Sequence, residues 1–424
     1  TANPEAEDAD KIIIANFDQG QAEAKWTADT IRQLKVQKGY SYDDFAVLYR
    51  TNAQSRLFEE AMMREGMPYK LIGGTGFYTR AEIRDIVAYL HVLSNPKDDI
   101  AFQRIINTPK RGIGAATIDK IREYAQFKDF GLADAAREAD RIPTLSGAAR
   151  KKVENFGAFI NELMEVSGHI PVAELIEKIV VESGYQTMLE NGKVDNAETR
   201  LENIRELISA AAEFDENSED PSLTAFLETI ALSSDTDKYD PSDGQVLLMT
   251  LHNAKGLEFP VVFMAGMEEG LFPNSRSYDS PEQMEEERRI CYVGITRAQE
   301  RLYMTYANAR TIFGKPQQQA PSQFLRELPQ DSVDFEEHAA VRRPRATAAE
   351  SKARSFSGNL RASNEVMHAG VSSGESTDSY TPGEKVRHKK FGVGTIIEVK
   401  KNQLSIAFPG LGIKKLDPAF VKPE

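Results

Sequence analysis

A chain of 424 residues with 41% hydrophobic content is long enough for several domains around buried cores, which excludes a small scaffold held by disulfides or a metal. Its single cysteine, Cys291, excludes an internal disulfide and suits a reducing compartment, and no signal peptide or long apolar span is visible, so a soluble, cytoplasmic protein is expected. The net charge of −13 excludes a uniformly basic nucleic-acid binder but not a local basic patch, because screening over roughly 8–10 Å lets separate patches act independently.

The apolar run beginning at Lys11 starts a strand, and residues 21–36, with Ala24, Ala28, Ile31 and Leu34 at helical spacing, follow as a helix. DFAVLY at 44–49 is a second strand, 55–66 a second helix and YKLI at 69–72 a third strand. This βαβαβ order predicts a parallel sheet with right-handed crossovers. Arg50 and Asn52 follow the second strand, where they either end it and cap the next helix or reach a ligand. GGTG at 73–76 lacks the lysine and the Ser/Thr of a phosphate loop, and G-x-x-x-x-G-K-[ST] occurs nowhere in the chain.

From Phe77 the period becomes helical: residues 80–93, 100–106, 117–127, 145–166, 171–183 and 196–214 carry apolar groups three and four apart. An all-helical insertion is expected, closed by an acidic return linker at 233–244. Within it, NTPKRGIGAAT at 107–117 places Gly112 and Gly114 before a helix whose first turn holds Thr117. A hairpin of this kind exposes backbone N–H groups that suit a phosphate, with Lys110 and Arg111 adding charge; the alternative is a plain helix–helix turn that uses Gly for positive φ.

The sheet pattern resumes with VLLM at 246–249, VVFM at 261–264 and RLYM at 301–304, short apolar runs suited to buried parallel strands, with a helix over 281–295. Between the first two runs stands TLHNAKGLE (250–258), and before the third EEERRICYVGITR (285–297). Polar groups thus gather at strand ends, where open α/β sheets bind ligands: Lys255, Glu258 and Arg297 are the groups an anionic, ribose-bearing ligand needs. The loops at 270–276 and 310–314 each set an aromatic beside a cation, a pair able to stack a base and hold its phosphate, although core packing is the better reading of Phe272. No spacing among the six histidines and the cysteine suggests a metal cluster.

T-x-H-x-x-K-G-L-E followed by E-E-E-R-R-x-x-Y-V-G-x-T-R-A resembles motifs V and VI of the superfamily 1A DNA helicases, the UvrD/PcrA/Rep group. The resemblance covers almost the whole chain apart from 331–380. It implies an α/β fold with a RecA-like parallel sheet: residues 1–76 and 241–330 form motor domain 2A, and 77–240 form the helical 2B insertion. It further implies that Glu258, Gly256 and Arg297 help bind ATP with Mg2+, the metal being held mainly by an N-terminal half that carries the phosphate loop. Arg297 would act as arginine finger on the transferring phosphoryl group. Arg50, Asn52, Thr250, His252, Lys255 and Phe313 would face single-stranded DNA, with Thr250 and His252 connecting the two sites, and the 107–117 hairpin would resemble the helix-hairpin-helix that touches duplex backbone. Relatives often carry histidine where this chain has Asn274, which weakens a base contact there. The start at Thr1 fits removal of the phosphate-loop half.

Residues 331–380 are rich in Ser, Ala, Glu and Arg and are expected to be a flexible, disordered linker. From Thr381 alternating apolar residues return with nine Lys/Arg against four Asp/Glu, reading as a small β-barrel over 381–424 that resembles the Tudor-like (SH3-like) domain of the family. The resemblance implies docking on RNA polymerase; direct nucleic-acid binding is the rival explanation of its charge. The function expected is the C-terminal part of a 3′–5′ DNA helicase and translocase of repair or replication, acting on single-strand/duplex junctions and inactive without its other half. The alternatives are a non-catalytic DNA-junction module and an adaptor to the transcription machinery.

Overall fold

The computed structural model describes residues 11–192, 194–233, 244–312, 314–339 and five strands between 385 and 423. The chain runs β1 (Ile12–Gln19), α1 (Gly20–Lys38), β2 (Phe45–Tyr49), α2 (Ser55–Arg64) and β3 (Tyr69–Ile72). A helical stretch follows: α3 (Ala81–Ser94), α4 (Asp99–Ile105), α5 (Ala115–Lys128), α6 (Leu132–Arg137), α7 (Gly147–Val166), α8 (Val172–Glu182), α9 (Tyr185–Asn191), α10 (Ala197–Asn217) and α11 (Leu223–Ser233). The sheet then resumes with β4 (Val246–Thr250), β5 (Phe259–Met264), α12 (Pro281–Ile295), β6 (Ala298–Ile312), β7 (Lys315–Gln318), α13 (Gln323–Arg326) and β8 (Val333–Glu337).

The strands form one sheet in the order β3-β4-β2-β5-β6-β1-β8, parallel along this path, with β7 antiparallel on β6. Successive side chains of a strand face opposite sides, so β2 splits between two cores. Phe45, Val47 and Tyr49 pack with α1 and α2 through Ala28, Ile31, Phe58 and Met62. Ala46 and Leu48 pack on the other side with Met249, Met264, Ile290, Cys291 and Phe324, beneath α12 and α13. Both faces being covered explains why these strands are uninterrupted apolar runs. Cys291 is buried in this layer, and burial pushes its thiol up to about 12, as for a packing residue. Phe272 is likewise fully buried, edge-to-face against Phe324.

The helices from α3 to α11 share one further core, including Ile83, Tyr89, Phe102, Phe156, Leu175, Ile204 and Phe226. The short helices α6, α9 and α11 add to those that periodicity predicts. α10 ties this layer to the sheet: Arg56 of α2 reaches Glu206 and Glu213 at 2.7 and 2.9 Å, and Arg80 bonds Asn203 at 2.7 Å.

Two expectations are corrected. Residues 333–337, assigned to a linker, are an edge strand parallel to β1, held by backbone pairing although only Val333 is buried. Arg310, assigned to a DNA-facing loop, lies within β6 and, largely enclosed, is clasped between the buried Glu23 (2.5 Å) and Glu268 (2.6 Å), whose oxygens also accept from Thr305 and from the Ala307 N–H. Desolvation of an arginine on that scale is tolerable only with such paired carboxylates. Residues 340–384, the 234–243 part of the return linker and Phe313 lie outside the described residues.

A second unit, beyond Arg343, contains β9 (Lys385–His388), β10 (Gly392–Lys400), β11 (Gln403–Phe408), β12 (Gly412–Leu416) and β13 (Val421–Pro423). They form an antiparallel sheet in the order β12-β11-β10-β9-β13, with a register shift in β10 between Ile396 and Glu398. Val386, Ile396, Leu404 and Ile406 are its buried side chains among those described. Among the described residues no helix is long and apolar enough to cross a membrane.

Candidate functional site

The expected site residues divide between two edges of the sheet. Arg50 follows β2, Thr250 ends β4 and His252 lies just beyond, so these occupy the carboxyl edge. Glu258 immediately precedes β5 and Arg297 immediately precedes β6, and because Phe259 and Ala298 are register partners these two sit at the amino edge. Sequence spacing placed them all at strand ends without saying which end. The β4–β5 connection and α12 each carry the chain back across the sheet, about 16 Å for a five-residue strand, and so separate neighbours in sequence.

At the carboxyl edge a cleft of about 520 Å³ is lined by Arg50, Asn52, Thr250, His252, Asn274, Arg276 and Gln283, together with Glu198, Glu202, Glu286 and Glu287. Arg50 forms a two-pronged pair with Glu287 of α12, which also accepts the Asn274 N–H at 3.1 Å. The turn after Arg50 is built locally: Gln54 accepts from the Arg50 and Thr51 N–H groups, and the Asn52 carbonyl accepts from Arg80 at 3.1 Å. The capping role of this segment and its exposure in the cleft therefore coexist. Burial, then the positive charge of Arg50, lowers the pKa of His252 from its ordinary value, so the ring is neutral at pH 7 and suits hydrogen bonding rather than charge pairing.

The β4–β5 connection is an eight-residue crossover that bends sharply at Gly256. Leu251 and Ala254 are buried anchors, Gly256 has φ +84°, and Lys255 and Glu258 are exposed. A left-handed backbone there favours glycine. Arg297 is fixed by its own surroundings: Nε donates to the Val293 carbonyl (2.9 Å), Nη1 to the Leu257 carbonyl (2.8 Å) and Nη2 to the Thr296 hydroxyl (3.0 Å). The guanidinium is thus held against the residue preceding Glu258, whose carboxylate lies 3.4 Å from the Gln299 amide. Both residues lie at the same rim of the sheet, and the guanidinium is held there by main-chain carbonyls.

In the helical layer, Gly114 is the N-cap of α5 with no side-chain cap, and Thr117 lies in its first turn. Lys110 is exposed, and Lys152 donates to the Gly112 carbonyl at 3.1 Å. Arg111, expected to add charge toward a phosphate, turns inward instead: it donates to the Ile105 carbonyl (2.8 Å) and the Tyr89 hydroxyl (2.7 Å) and lies 4.7 Å over the Phe156 ring. Its charge braces the hairpin. Sequence reasoning reads Arg276 as the cation of the 270–276 loop, but its partners on α10, Glu198 and Glu202, are some seventy residues away in the chain and leave no local signal of that pairing.

Fold and site together define a class: a RecA-like α/β domain interrupted by a long helical insertion and followed by a small antiparallel β-domain. The family model for the UvrD-like helicase C-terminal domain matches residues 1–309, and that for the PcrA/UvrD tudor domain matches 383–421. The chain belongs to the UvrD-like helicase family, as its C-terminal domain with a tudor domain behind it. It is 41% identical to the ATP-dependent DNA helicase PcrA of Bacillus subtilis (strain 168), over 98% of this chain and 57% of that protein. It is 40% identical to the ATP-dependent DNA helicase PcrA of Leuconostoc citreum, over 97% of this chain and 57% of that one. A Staphylococcus aureus (strain Mu50 / ATCC 700699) protein of the same name is 39% identical over 97% of the chain and 59% of its own length. The chain thus spans less than two thirds of the relatives it matches.

Proposed function

We propose that this chain is the C-terminal part of a cytoplasmic, ATP-dependent 3′–5′ DNA helicase and translocase: residues 1–76 and 241–330 as the second motor domain, 77–240 as its insertion and 381–424 as an accessory domain. Single-stranded DNA would lie in the carboxyl-edge cleft against Arg50, Asn52, Thr250 and His252. Duplex backbone would meet Lys110 and the open N-terminus of α5 through sequence-independent, salt-sensitive phosphate contacts. Glu258 and Arg297 would face ATP·Mg2+ bound by a phosphate-loop half. There Glu258 accepts from ribose hydroxyls, and Arg297 exchanges its carbonyl partners for phosphate oxygens as charge spreads over the transferring group.

The observation that carries this reading is that α12 spans both edges. Glu287, near its middle, grips Arg50 in the cleft, and Arg297 follows its last turn. A rigid helix whose N-terminal half lines the cleft and whose C-terminal end leads into Arg297 converts a change of contact at the amino edge into a shift of the cleft wall, the differential interaction a translocase needs. The excess of Lys/Arg beyond Thr381 supports a second contact there, with RNA polymerase or with DNA directly.

ATP turnover tests this. The chain alone is expected to be inactive, and mixing it with a separately produced phosphate-loop half from a relative is expected to restore turnover stimulated by single-stranded DNA. Turnover by the isolated chain, or none by the mixture, would sink the assignment.

A further inference from the structure

One face of α10 carries Glu198, Glu202, Glu206 and Glu213, spaced so that they form a stripe along the helix. Both ends of the stripe clasp an arginine of the sheet layer, and the two ends differ in burial. At one end Arg56, with 3% of its side chain exposed, is surrounded by Glu60, Glu206 and Glu213 at 3.1, 2.7 and 2.9 Å. Removing one member of such a buried cluster strands the others, so this end is a fixed anchor. At the other end Arg276, 51% exposed, pairs with Glu198, itself 61% exposed, and lies 3.6 Å from Glu202. An ion pair that open to water is worth only about 0–1 kcal/mol and is exchangeable.

The exposed end lies in the wall of the cleft. Two arginines there, Arg50 and Arg276, face four glutamates, Glu198, Glu202, Glu286 and Glu287, so the lining opposes a phosphate chain as it stands. Withdrawal of Glu198 and Glu202 would balance the charges and free one guanidinium. Burial raises the pKa of Glu202, Arg276 opposes that shift, and Glu198 adds to it: the two carboxylates crowd one another and depend on the arginine between them.

We propose that Arg276 is a phosphate-binding residue of the cleft, and that Glu198 and Glu202 occupy it in place of phosphate while no strand is bound. Strand binding and this contact of the helical layer then exclude one another. The inference rests on reading the cleft as a single-strand site.

The test is a double-mutant cycle on this chain, titrated by fluorescence anisotropy with a single-stranded oligothymidylate at fixed low salt. Glu198→Gln with Glu202→Gln is expected to tighten binding about tenfold, and Arg276→Ala to weaken it about tenfold, the scale of one charge-assisted contact. In the Arg276→Ala background the two glutamines are expected to change affinity less than about threefold, since the group they release is gone. Arg276→Lys keeps a cation and is expected to restore part of the gain. An equal gain with and without Arg276 would mean that only the general field of the carboxylates matters and would overturn the masking, as would no gain at all. Failure of the unaltered chain and of the glutamine variant alike to bind the oligonucleotide would instead overturn the strand-site reading beneath it. Thermal melting of each variant separates a lost contact from a lost fold.

Discussion

Arg50 and Glu287 face each other across the carboxyl edge of the sheet, Nη2 2.6 Å from Oε1 and Nε 3.0 Å from both carboxylate oxygens, and so join the end of β2 to the middle of α12. Glu287 is almost fully enclosed, whereas Arg50 retains contact with the cleft. Glu287→Ala would leave the arginine facing an apolar gap and the Asn274 N–H without its acceptor. We expect a loss of about 3 kcal/mol, at the lower end for breaking a buried pair because water reaches the Arg50 side. Urea denaturation followed by circular dichroism measures it; an unchanged midpoint would mean that the pair does not anchor α12.

Arg297 makes its hydrogen bonds to carbonyls of Val293 and Leu257, which means its position does not depend on a ligand. In the protein supplied with its phosphate-loop half, Arg297→Ala is expected to lower ATP turnover roughly a thousandfold, with single-strand affinity changed less than about twofold. Arg297→Lys should recover little, since an ammonium cannot present a planar fork to phosphate oxygens. Near-normal turnover in either variant would remove the finger role.

The sheet was legible because its central strands are buried on both faces: FAVLY at 45–49 can hardly be anything but an interior strand. β8 was not, because VDFEE has one buried side chain and owes its place to backbone pairing with β1, which leaves no mark on composition. Glu258 and Arg297 were named from their motifs, yet the edge they share depends on how the crossovers run. Arg310 and Arg111 mark the limit of such reading. A cation next to an aromatic or a glycine looks like a nucleic-acid contact until its partners are known, and those of Arg310 include Glu23, 287 residues earlier. Charge in a sequence has no direction; burial and partner supply it.

His252 titrates below its ordinary pKa of 6.5, because partial burial and the neighbouring Arg50 disfavour the imidazolium. A group whose folded pKa is depressed binds its proton first in the unfolded chain, so as pH falls below about 6.5 it favours unfolding, until the folded ring also protonates. Two outcomes follow. The His252 ring should show an NMR titration midpoint below 6.5, and His252→Gln should flatten the fall in stability between neutral pH and about pH 5. A midpoint above 6.5 would place a carboxylate, not Arg50, as its dominant neighbour.

The helical layer offers a test of packing independent of any ligand. Gly157 of α7 lies so close to α6 that a Cβ built on it would sit 2.5 Å from the Ala136 carbonyl oxygen and 2.9 Å from its carbon. Alanine in a helix interior is ordinarily favoured over glycine by about 1 kcal/mol, which predicts a stabilising substitution if the helix stood alone. Here the obstacle is backbone, which cannot rotate aside as a side chain does, so α6 and α7 must separate, and overpacking of this kind costs about 1–3 kcal/mol. Gly157→Ala is therefore expected to lower stability despite its better propensity. The Phe102–Phe156 contact beside it, at 5.7 Å between ring centroids, would loosen as α7 shifts. Chemical denaturation gives the sign directly: a rise in midpoint would mean that the two helices slide apart without loss, and a fall of this size would establish the glycine as the point that sets their spacing.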